Sequence, residues 1–383
     1  MGIYLDYNAT TPINSDVLDE MIYVYKNVVG NADSRTHDYG DAAREVVESS
    51  RKKVADIFGV NSDEVFFTSG ATESNNIAIQ GLKEYAYKTG KKHIITTSIE
   101  HKAVLETIKH LEKEGFEVDY INPGINGRVD YKEIFSKMRE DTLLISVMHV
   151  NNETGIIQPI KEIGEEAEKR NILFHIDATQ SSGKLIDELQ NCKYNMLSCS
   201  AHKFYGPQGI GALILKKKEY KLPPVSPIMF GGQQEHGISP GTTPVALVAG
   251  FGKACEIAMD RYKKNEVSYK KIQSMILELL ENSGLKYHVN GDLNYCIPST
   301  LNICIEGVSS EALMLSSKQY CGISNGSACT SKSYAHSYVL EAMGLSEEEM
   351  DSSIRISWGA DEDTDLIKDN IMQLLSVARG LVF

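Results

Sequence analysis

Short apolar runs alternate with amphipathic stretches over the first two thirds of the chain. Between residues 41 and 58, for example, Ala43, Val46, Val47 and Val54 recur at the spacing of one helix face. This alternation predicts an α/β fold in which helices cover both faces of a mostly parallel, seven-stranded sheet. The predicted strands are 64–68, 93–97, 117–121, 143–150, 172–176, 196–198 and 210–215, and the predicted helices include 41–58, 73–87, 102–114 and 160–170.

The pattern changes after about residue 240. A long helical stretch over 244–280 leads into short apolar strands, and Leu366, Ile367, Ile371 and Leu374 mark one face of a final helix. We therefore predict a large α/β domain over residues 14–255 and a smaller α+β domain built from 1–13 and 256–383. The predicted strands of the smaller domain are 286–289, 300–305 and 354–358.

Composition narrows the classes of function. The 383 residues carry a formal net charge of −13, which disfavours a phosphate-binding nucleic-acid surface. There is no run of 18 apolar residues and no basic start followed by an apolar run, so neither a membrane span nor a signal peptide is expected. The seven cysteines include no C-x-x-C pair, which excludes zinc ribbons. We expect free thiols, no metal site and a cytoplasmic location.

A first candidate motif is Thr68-Ser-Gly-Ala-Thr-Glu-Ser-Asn75, which follows an apolar run and opens a helical one. Gly70 permits a tight turn, and Thr72 is suited to cap the helix. Backbone N–H groups at a helix start favour phosphate. Taken alone, however, the motif is better explained as an ordinary capped helix.

Two further motifs follow predicted strands. In His175-Ile-Asp177 an apolar strand ends in a carboxylate, which can bind a metal, act as a base, pair with a protonated cofactor nitrogen or simply cap a helix. In Ser200-Ala-His-Lys203 a desolvated lysine can form a Schiff base with an aldehyde cofactor, although most lone lysines are only exposed. The three motifs occur in the order of the turn at Gly70, the strand that ends in Asp177 and the turn at Lys203. This ordered set is far more specific than any one motif alone.

Cys329 lies in a run of small and polar residues, Ser324-Asn-Gly-Ser-Ala-Cys-Thr-Ser331. A cysteine on such a loop is placed for reaction, whereas Cys304 lies in the apolar stretch 301–305 and is expected to be structural. The alternative, an incidental surface thiol, is weaker because exposed cysteines are uncommon.

Together these motifs resemble the pyridoxal-phosphate-dependent cysteine desulfurases of the NifS/IscS group, in the class V aminotransferase family. The resemblance covers nearly the whole chain and implies the fold of a type I pyridoxal-phosphate transferase. Its anchors are Tyr4-Leu-Asp-Tyr-Asn-Ala-Thr-Thr-Pro12, Thr68–Asn75, Glu100-His-Lys-Ala-Val104, Met148-His-Val-Asn-Asn-Glu-Thr-Gly155, His175-Ile-Asp-Ala-Thr-Gln180, Ser200–Lys203, Gly326-Ser-Ala-Cys-Thr330 and Ser352-Ser-Ile-Arg-Ile-Ser357.

The resemblance also implies roles for single residues. Lys203 is the lysine that binds the cofactor, His101 stacks on its ring with an acid/base role, and Asp177 pairs with its ring nitrogen. Cys329 accepts the sulfur. The remaining matches are Gln180 at the phenolic oxygen, Ala71, Thr72, Ser200 and His202 around the phosphate, Thr242 at the phosphate of the other subunit of a homodimer, Arg355 at the substrate carboxylate, and Asn152 beside ring and substrate.

The implied activity is the conversion of L-cysteine to L-alanine, with a persulfide on Cys329 that is passed to an acceptor protein. The acceptor stays open among an iron–sulfur scaffold, tRNA thiolation, DNA sulfur modification and selenium delivery. A selenocysteine lyase or another β-eliminating enzyme is the alternative within the class, and Cys329 argues against it because simple elimination needs no protein thiol. A non-catalytic scaffold is disfavoured by Lys203, His101, Asp177 and Arg355.

One segment departs from the family pattern. Family members have arginines before the Gly-Thr that includes Thr242, whereas this chain has His236 and Ser239 there, followed by Pro240. The departure reflects either drift in a surface loop or a changed acceptor. It leaves the cofactor assignment intact.

Overall fold

The computed structural model of the protein describes residues 2–325 and 336–382. The strands within these ranges are β1 (Ile3–Tyr4), β2 (Val65–Thr68), β3 (His93–Thr97), β4 (Glu117–Ile121), β5 (Thr142–Met148), β6 (Leu173–Asp177), β7 (Met196–Ser200), β8 (Gly211–Leu215), β9 (Tyr287–Val289), β10 (Thr300–Ile305), β11 (Cys321–Gly322) and β12 (Ser353–Ser357). The α-helices are α1 (Ser15–Asn27), α2 (Asp38–Phe58), α3 (Ala71–Gln80), α4 (Lys83–Thr89), α5 (Lys102–Lys113), α6 (Tyr131–Lys137), α7 (Ile160–Arg170), α8 (Ile186–Asn191), α9 (Val245–Glu281), α10 (Ser310–Ser317), α11 (Tyr338–Ala342), α12 (Glu347–Asp351) and α13 (Thr364–Gly380).

The large sheet has seven strands in the order β2-β8-β7-β6-β5-β3-β4. β8 runs antiparallel to both of its neighbours, and the other adjacent pairs are parallel. The central strands β5, β6 and β7 are buried almost throughout because helices cover both faces, which explains their nearly continuous apolar sequences. The predicted α/β fold with a mostly parallel seven-stranded sheet is confirmed.

The predicted helix 73–87 is wrong as a single element, because the chain forms α3 and α4 with a break at Gly81. A Cβ atom at Gly81 would lie 2.6 Å from a methyl carbon of Val225 and 2.8 Å from the carbonyl oxygen of Ser226. The backbone N–H of Ser226 also donates to the Gly81 carbonyl at 2.8 Å. The apolar spacing continues across this break, so periodicity alone could not reveal the segment that packs against it.

A second sheet has the order β12-β10-β9, and all its strand pairs are antiparallel. α9 links its core to that of the large sheet. Phe251 and Cys255 of this helix belong to the first core, whereas Ile272 and Ile276 belong to the second. The boundary that we predict at residue 255 therefore falls inside one continuous helix.

The N-terminal residues connect the two sheets. β1 pairs with β11, and Asp6 forms an isolated bridge with Ser357 at the end of β12. Thr11 then turns towards the large sheet, where its backbone N–H donates to the carbonyl of His202 at 2.9 Å. None of the helices over residues 2–325 and 336–382 has the length and apolar composition needed to cross a lipid bilayer.

Candidate active site

A cavity of roughly 500 Å³ opens at the carboxyl ends of β5, β6 and β7. This is the edge of an α/β sheet at which ligands are usually bound. β12 of the second sheet contributes Arg355 to the same wall, so the cavity lies between the two sheets. Ten residues that the sequence predicts for the site line this cavity: Ala71, Thr72, His101, Asn152, Asp177, Gln180, Ser200, His202, Lys203 and Arg355.

Lys203 lies in a short 3-10 turn directly after β7. Its Nζ donates to the backbone carbonyls of Asn8 and Ala9 at 2.7 and 2.8 Å. Gln180 Nε2 also donates to the Asn8 carbonyl, at 2.9 Å. The N-terminal segment therefore holds the lysine amine and the Gln180 amide side by side in the cavity wall.

Asp177 ends β6 and is almost completely buried. Its Oδ2 accepts from Asn75 Nδ2 at 2.8 Å, and its Oδ1 accepts from the backbone N–H of Thr179 at 3.0 Å. A buried carboxylate needs such donors, because an unpaired charge in this position costs several kcal/mol. The bonds fix the orientation of the carboxylate at the cavity wall.

His175 lies two residues earlier on the same face of β6. Its two ring nitrogens lie 2.9 Å from Ser146 Oγ and 3.0 Å from Ser198 Oγ. Burial lowers its pKa to about 4, so the ring is neutral at physiological pH. Beneath Asp177 it therefore supplies a fixed, uncharged packing surface.

His101 follows β3 and caps α5, because its Nδ1 accepts from the backbone N–H of Ala103 at 3.1 Å. Burial lowers its pKa and outweighs the opposing effect of the Asp177 charge, and the nearby charge of Lys203 also lowers it. The ring is therefore neutral, and because Nδ1 accepts a hydrogen bond its proton is on Nε2, which can donate to a ligand.

The turn before α3 has the features of a phosphate site. Gly70 has φ 151°, a conformation that favours glycine, and a Cβ atom there would lie 3.5 Å from Ser200 Oγ. α3 starts at Ala71 without a side-chain cap, so the expected capping role of Thr72 is wrong. The first N–H groups of a helix without such a cap are available to an anion. In the same cavity, His202 Nδ1 lies 3.0 Å from Thr10 Oγ1, and burial lowers the pKa of this ring to about 4.

Arg355 is buried in β12. Its Nη1 donates to the carbonyl of Asn152 at 2.9 Å, and its Nη2 donates to Asp6 Oδ1 at 2.5 Å. Its Nε has no partner among the described residues. The guanidinium is thus held from one side, and the remaining donors can bind a carboxylate.

Several buried polar atoms of the cavity residues lack a partner within the described part of the chain. They are Asn75 Oδ1, Asn152 Oδ1, Gln180 Oε1 and Arg355 Nε. An unsatisfied buried polar atom costs about 1–3 kcal/mol, so four around one cavity indicate that a polar ligand completes the site.

Two predicted residues are not in this cavity. Thr242 is exposed and borders a neighbouring cavity together with Ser69 and Glu73, both of which also line the first cavity. Cys329 lies outside the described residues. The structural role expected for Cys304 is confirmed, because this residue is buried in β10.

All six described cysteines have pKa values raised by burial, to about 11 for Cys304 and higher for the others. They are therefore protonated thiols at neutral pH and poor nucleophiles.

The loop that departs from the family pattern is anchored to the large sheet. Glu235 forms a bidentate ion pair with Arg51, with both N–O distances 2.7 Å, and accepts from the backbone N–H of Phe67 at 2.8 Å. Ser239 Oγ donates to Glu73 Oε1 at 2.8 Å. The serine at the position where the family has an arginine thus connects the loop to the first turn of α3.

Three further residues of the site, Asn8, Asn75 and Asp6, are not predicted individually from the sequence. Asn8 contributes its carbonyl to Lys203 and Gln180, and its side chain donates to the Asn152 carbonyl at 3.1 Å. All three residues lie inside anchor motifs of the resemblance. Their place in these motifs was the only signal in the sequence, because a residue of any type can supply a backbone carbonyl as acceptor.

Glu100, next to His101, is completely buried. Its Oε1 accepts from Thr97 Oγ1 at 2.6 Å and from the backbone N–H of Met148 at 2.9 Å, whereas its Oε2 has no partner among the described residues. Burial raises the pKa of this carboxyl to about 8, which outweighs the opposing effect of the two hydrogen bonds. The carboxyl is therefore protonated at neutral pH.

We expect Glu100 to make unfolding pH-dependent. Its pKa is raised on folding, so the stability it contributes is complete below about pH 4.5 and is lost as the pH rises to about 8. The loss amounts to at most about 5 kcal/mol. Glu100→Gln has no proton to lose and should lack this part of the pH dependence. Denaturant unfolding of both proteins between pH 5 and 9 measures the difference, with the exposed Glu341→Gln as the control. Parallel curves for wild type and Glu100→Gln would contradict the expectation.

Comparisons with known proteins agree with this arrangement. A family model described as Aminotransferase class-V matches residues 3–368. The cysteine desulfurase IscS of Vibrio cholerae serotype O1 is 42% identical over 380 residues, covering 99% of this chain and 93% of that protein. A solved NifS-like protein has a TM-score of 0.91 at 35% identity and covers 100% of both chains. A structure described as SspA in complex with cysteine has a TM-score of 0.81 at 35% identity, covering 94% of this chain and 99% of that one.

Fold, site and comparisons together define the class of protein. The chain belongs to the class-V aminotransferase family, and its fold is that of the type I pyridoxal-phosphate enzymes. Within the family it belongs to the cysteine desulfurases of the NifS/IscS group, as its motifs implied.

Proposed function

We propose that the protein removes sulfur from L-cysteine and releases L-alanine, with the sulfur passing to Cys329. The observation that supports this most strongly is the meeting of Lys203, Asp177, His101 and Arg355 in one cavity. These side chains come from three different strand ends and from the second sheet. Neither a binding scaffold nor a structural protein would require this combination of amine, carboxylate, imidazole and guanidinium.

The residues fit pyridoxal phosphate. Lys203 supplies the amine for its covalent attachment, Asp177 a carboxylate for its ring nitrogen, and the turn at Gly70 the N–H groups for its phosphate. The unpartnered oxygens of Asn152 and Gln180 are available for its polar substituents. When bound, this cofactor withdraws electrons from the α-carbon of an attached amino acid, which makes the α-proton removable.

The chain's own groups account for substrate binding and proton transfer. Arg355, held by Asn152 and Asp6, binds the α-carboxylate of the amino acid. Lys203 Nζ is the group that takes up or returns a proton at the α-carbon, and His101 Nε2 carries a proton that it can donate.

Cys329 is the proposed acceptor of sulfur. Its thiolate attacks the sulfur of the substrate, a sulfur–sulfur bond forms, and the carbon–sulfur bond breaks. The carbon takes a proton, so that cysteine and thiol become alanine and persulfide. Five of the six described cysteines are buried and Cys296 is partly exposed, and burial raises the pKa of all six thiols, which supports the assignment to Cys329.

We also propose a cytoplasmic homodimer that passes the persulfide sulfur to an acceptor protein of iron–sulfur cluster assembly or thiolation. Tyr25, Val29, Tyr39 and Phe230 expose large apolar surfaces, between 66% and 86% of each residue, which supports association with a second copy. Thr242, exposed at the edge of the site, is then available to the phosphate of the other subunit. Free thiols support a reducing compartment.

The test is product analysis with the purified enzyme. L-Cysteine and a reducing thiol should give equal amounts of alanine and sulfide, and without the thiol the enzyme should retain one sulfur atom on Cys329. L-Selenocysteine is assayed in parallel. Alanine from selenocysteine but none from cysteine would refute the desulfurase and establish the selenocysteine lyase.

A further inference from the structure

The first turn of α11 is attached to the wall of the active site. Ser337 caps this helix, because its Oγ accepts from the backbone N–H of Leu340 at 3.2 Å. The same hydroxyl donates to Glu153 Oε2 at 2.5 Å. A hydroxyl has one proton to donate and lone pairs to accept with, so both bonds form together. Glu153 is 2% exposed and is the next residue after Asn152.

Two further contacts seat this turn. Tyr338 Oη donates to the backbone carbonyl of Glu100 at 2.8 Å, next to His101. Val339 and Leu340 pack in a small apolar cluster with Ile99 and Met148, and Met148 lines the cofactor cavity. α11 thus rests on residues that are adjacent to His101 and Asn152 in the chain.

The chain on the N-terminal side of Cys329 is also attached to the active site. The backbone N–H of Ser324 donates to the Arg355 carbonyl at 3.2 Å, and the Arg355 N–H donates to the Ser324 carbonyl at 2.5 Å. On each side of Cys329, at Ser324 and at Ser337, the described chain is therefore bonded to a residue of the substrate site or to the immediate neighbour of one.

We propose that Glu153 is a positioning residue for the sulfur-transfer step, because its bond to Ser337 attaches the chain to the active-site wall on the C-terminal side of Cys329. The proposal rests on the proposed function, in which Cys329 accepts the sulfur. It assigns to Glu153 no contact with substrate or cofactor. From these contacts we expect a specific defect when the bond to Ser337 is lost: the cofactor binds normally and sulfur transfer slows.

Four variants distinguish the effect of the hydrogen bond between Glu153 and Ser337 from other effects of changing either residue. Glu153→Ala and Ser337→Ala remove the hydrogen bond. Glu153→Gln keeps an oxygen that accepts from the hydroxyl, and Ser337→Thr keeps the hydroxyl. Burial raises the pKa of Glu153 to about 7, so the native carboxyl is largely neutral below pH 7, where the neutral amide matches its charge. Glu341→Ala, an exposed change on α11, is the control.

Three measurements are made on each holoenzyme. They are the visible absorbance of the bound cofactor, the rate of alanine and Cys329 persulfide formation in a single turnover, and hydrogen exchange of the α11 amides. The alanine variants should keep the absorbance and the half-saturating cysteine concentration but transfer sulfur roughly 10- to 100-fold more slowly. The Leu340 amide should exchange roughly fivefold faster in Ser337→Ala, because its cap is lost.

Glu153→Gln and Ser337→Thr should remain close to wild type in all three measurements. The proposal is overturned if Glu153→Ala transfers sulfur at the wild-type rate, or if Glu153→Gln is as slow as Glu153→Ala. It is also overturned if the loss of rate follows loss of cofactor absorbance. A wild-type protein that forms alanine but no Cys329 persulfide would refute the proposed function, so the two failures are distinguishable.

Discussion

Lys203→Ala will release alanine from L-cysteine on the order of 10⁴-fold more slowly than the wild type, the scale of losing one essential catalytic group. The Nζ of Lys203 lies in the cavity wall, held by the carbonyls of Asn8 and Ala9 at 2.7 and 2.8 Å. The amine both attaches the cofactor and is placed to exchange the α-proton. Without it, neither the attachment nor the proton transfer has a group to perform it.

Absorbance and chemical rescue separate this effect from misfolding. The purified variant should lose the visible absorbance that depends on the bond between Nζ and the cofactor, while its unfolding midpoint without cofactor stays near that of wild type. An added small primary amine should restore part of the rate, because it replaces the missing nucleophile. Wild-type absorbance and turnover in Lys203→Ala would refute the assignment of the cofactor lysine.

Cys329→Ser should keep the cofactor absorbance and the binding of cysteine but lose alanine formation by roughly 10³-fold or more. The reason is chemical, because a thiolate is a strong nucleophile whereas a serine hydroxyl is not ionised near neutral pH. Single-turnover alanine formation and the mass of the sulfur-loaded protein measure the effect. Full activity in Cys329→Ser would contradict the persulfide mechanism.

Cys255→Ala is the matched control for this variant. Cys255 is completely buried in the core formed with α9, and burial raises its pKa well above its ordinary value. The substitution should cost stability, about 1 kcal/mol for a small cavity, without slowing sulfur transfer. A slow Cys255→Ala variant would show that loss of rate in Cys329→Ser does not identify the nucleophile.

Much of this site could be predicted because its parts are local in the sequence. Asp177 and Lys203 follow predicted strands directly, and parallel strands bring their carboxyl ends to the same edge of the sheet. The resemblance then supplied Arg355 and His101, whose neighbours alone gave no reason to select them. Cys329 was selected by the small polar residues around it, in contrast to Cys304.

Other features depend on pairs that are distant in the chain. Lys203 and Asn8 are 195 residues apart, and Ser337 and Glu153 are 184 residues apart. Their contacts involve a backbone carbonyl and a helix cap, and no pattern of residues predicts such contacts. The raised pKa of Glu100 is of the same kind, because it follows from burial and not from the residues on either side.

The sequence by itself determined the α/β fold, the mostly parallel sheet and the motifs at its strand ends, because hydrophobic periodicity and turn residues act over a few neighbours. Only the tertiary structure decided where the helix breaks at Gly81, which carbonyls hold Lys203, and how Arg355 approaches from the second sheet. Those features arise when segments far apart in the chain pack together, and sterics, burial and hydrogen bonding across that packing are not encoded in any one segment.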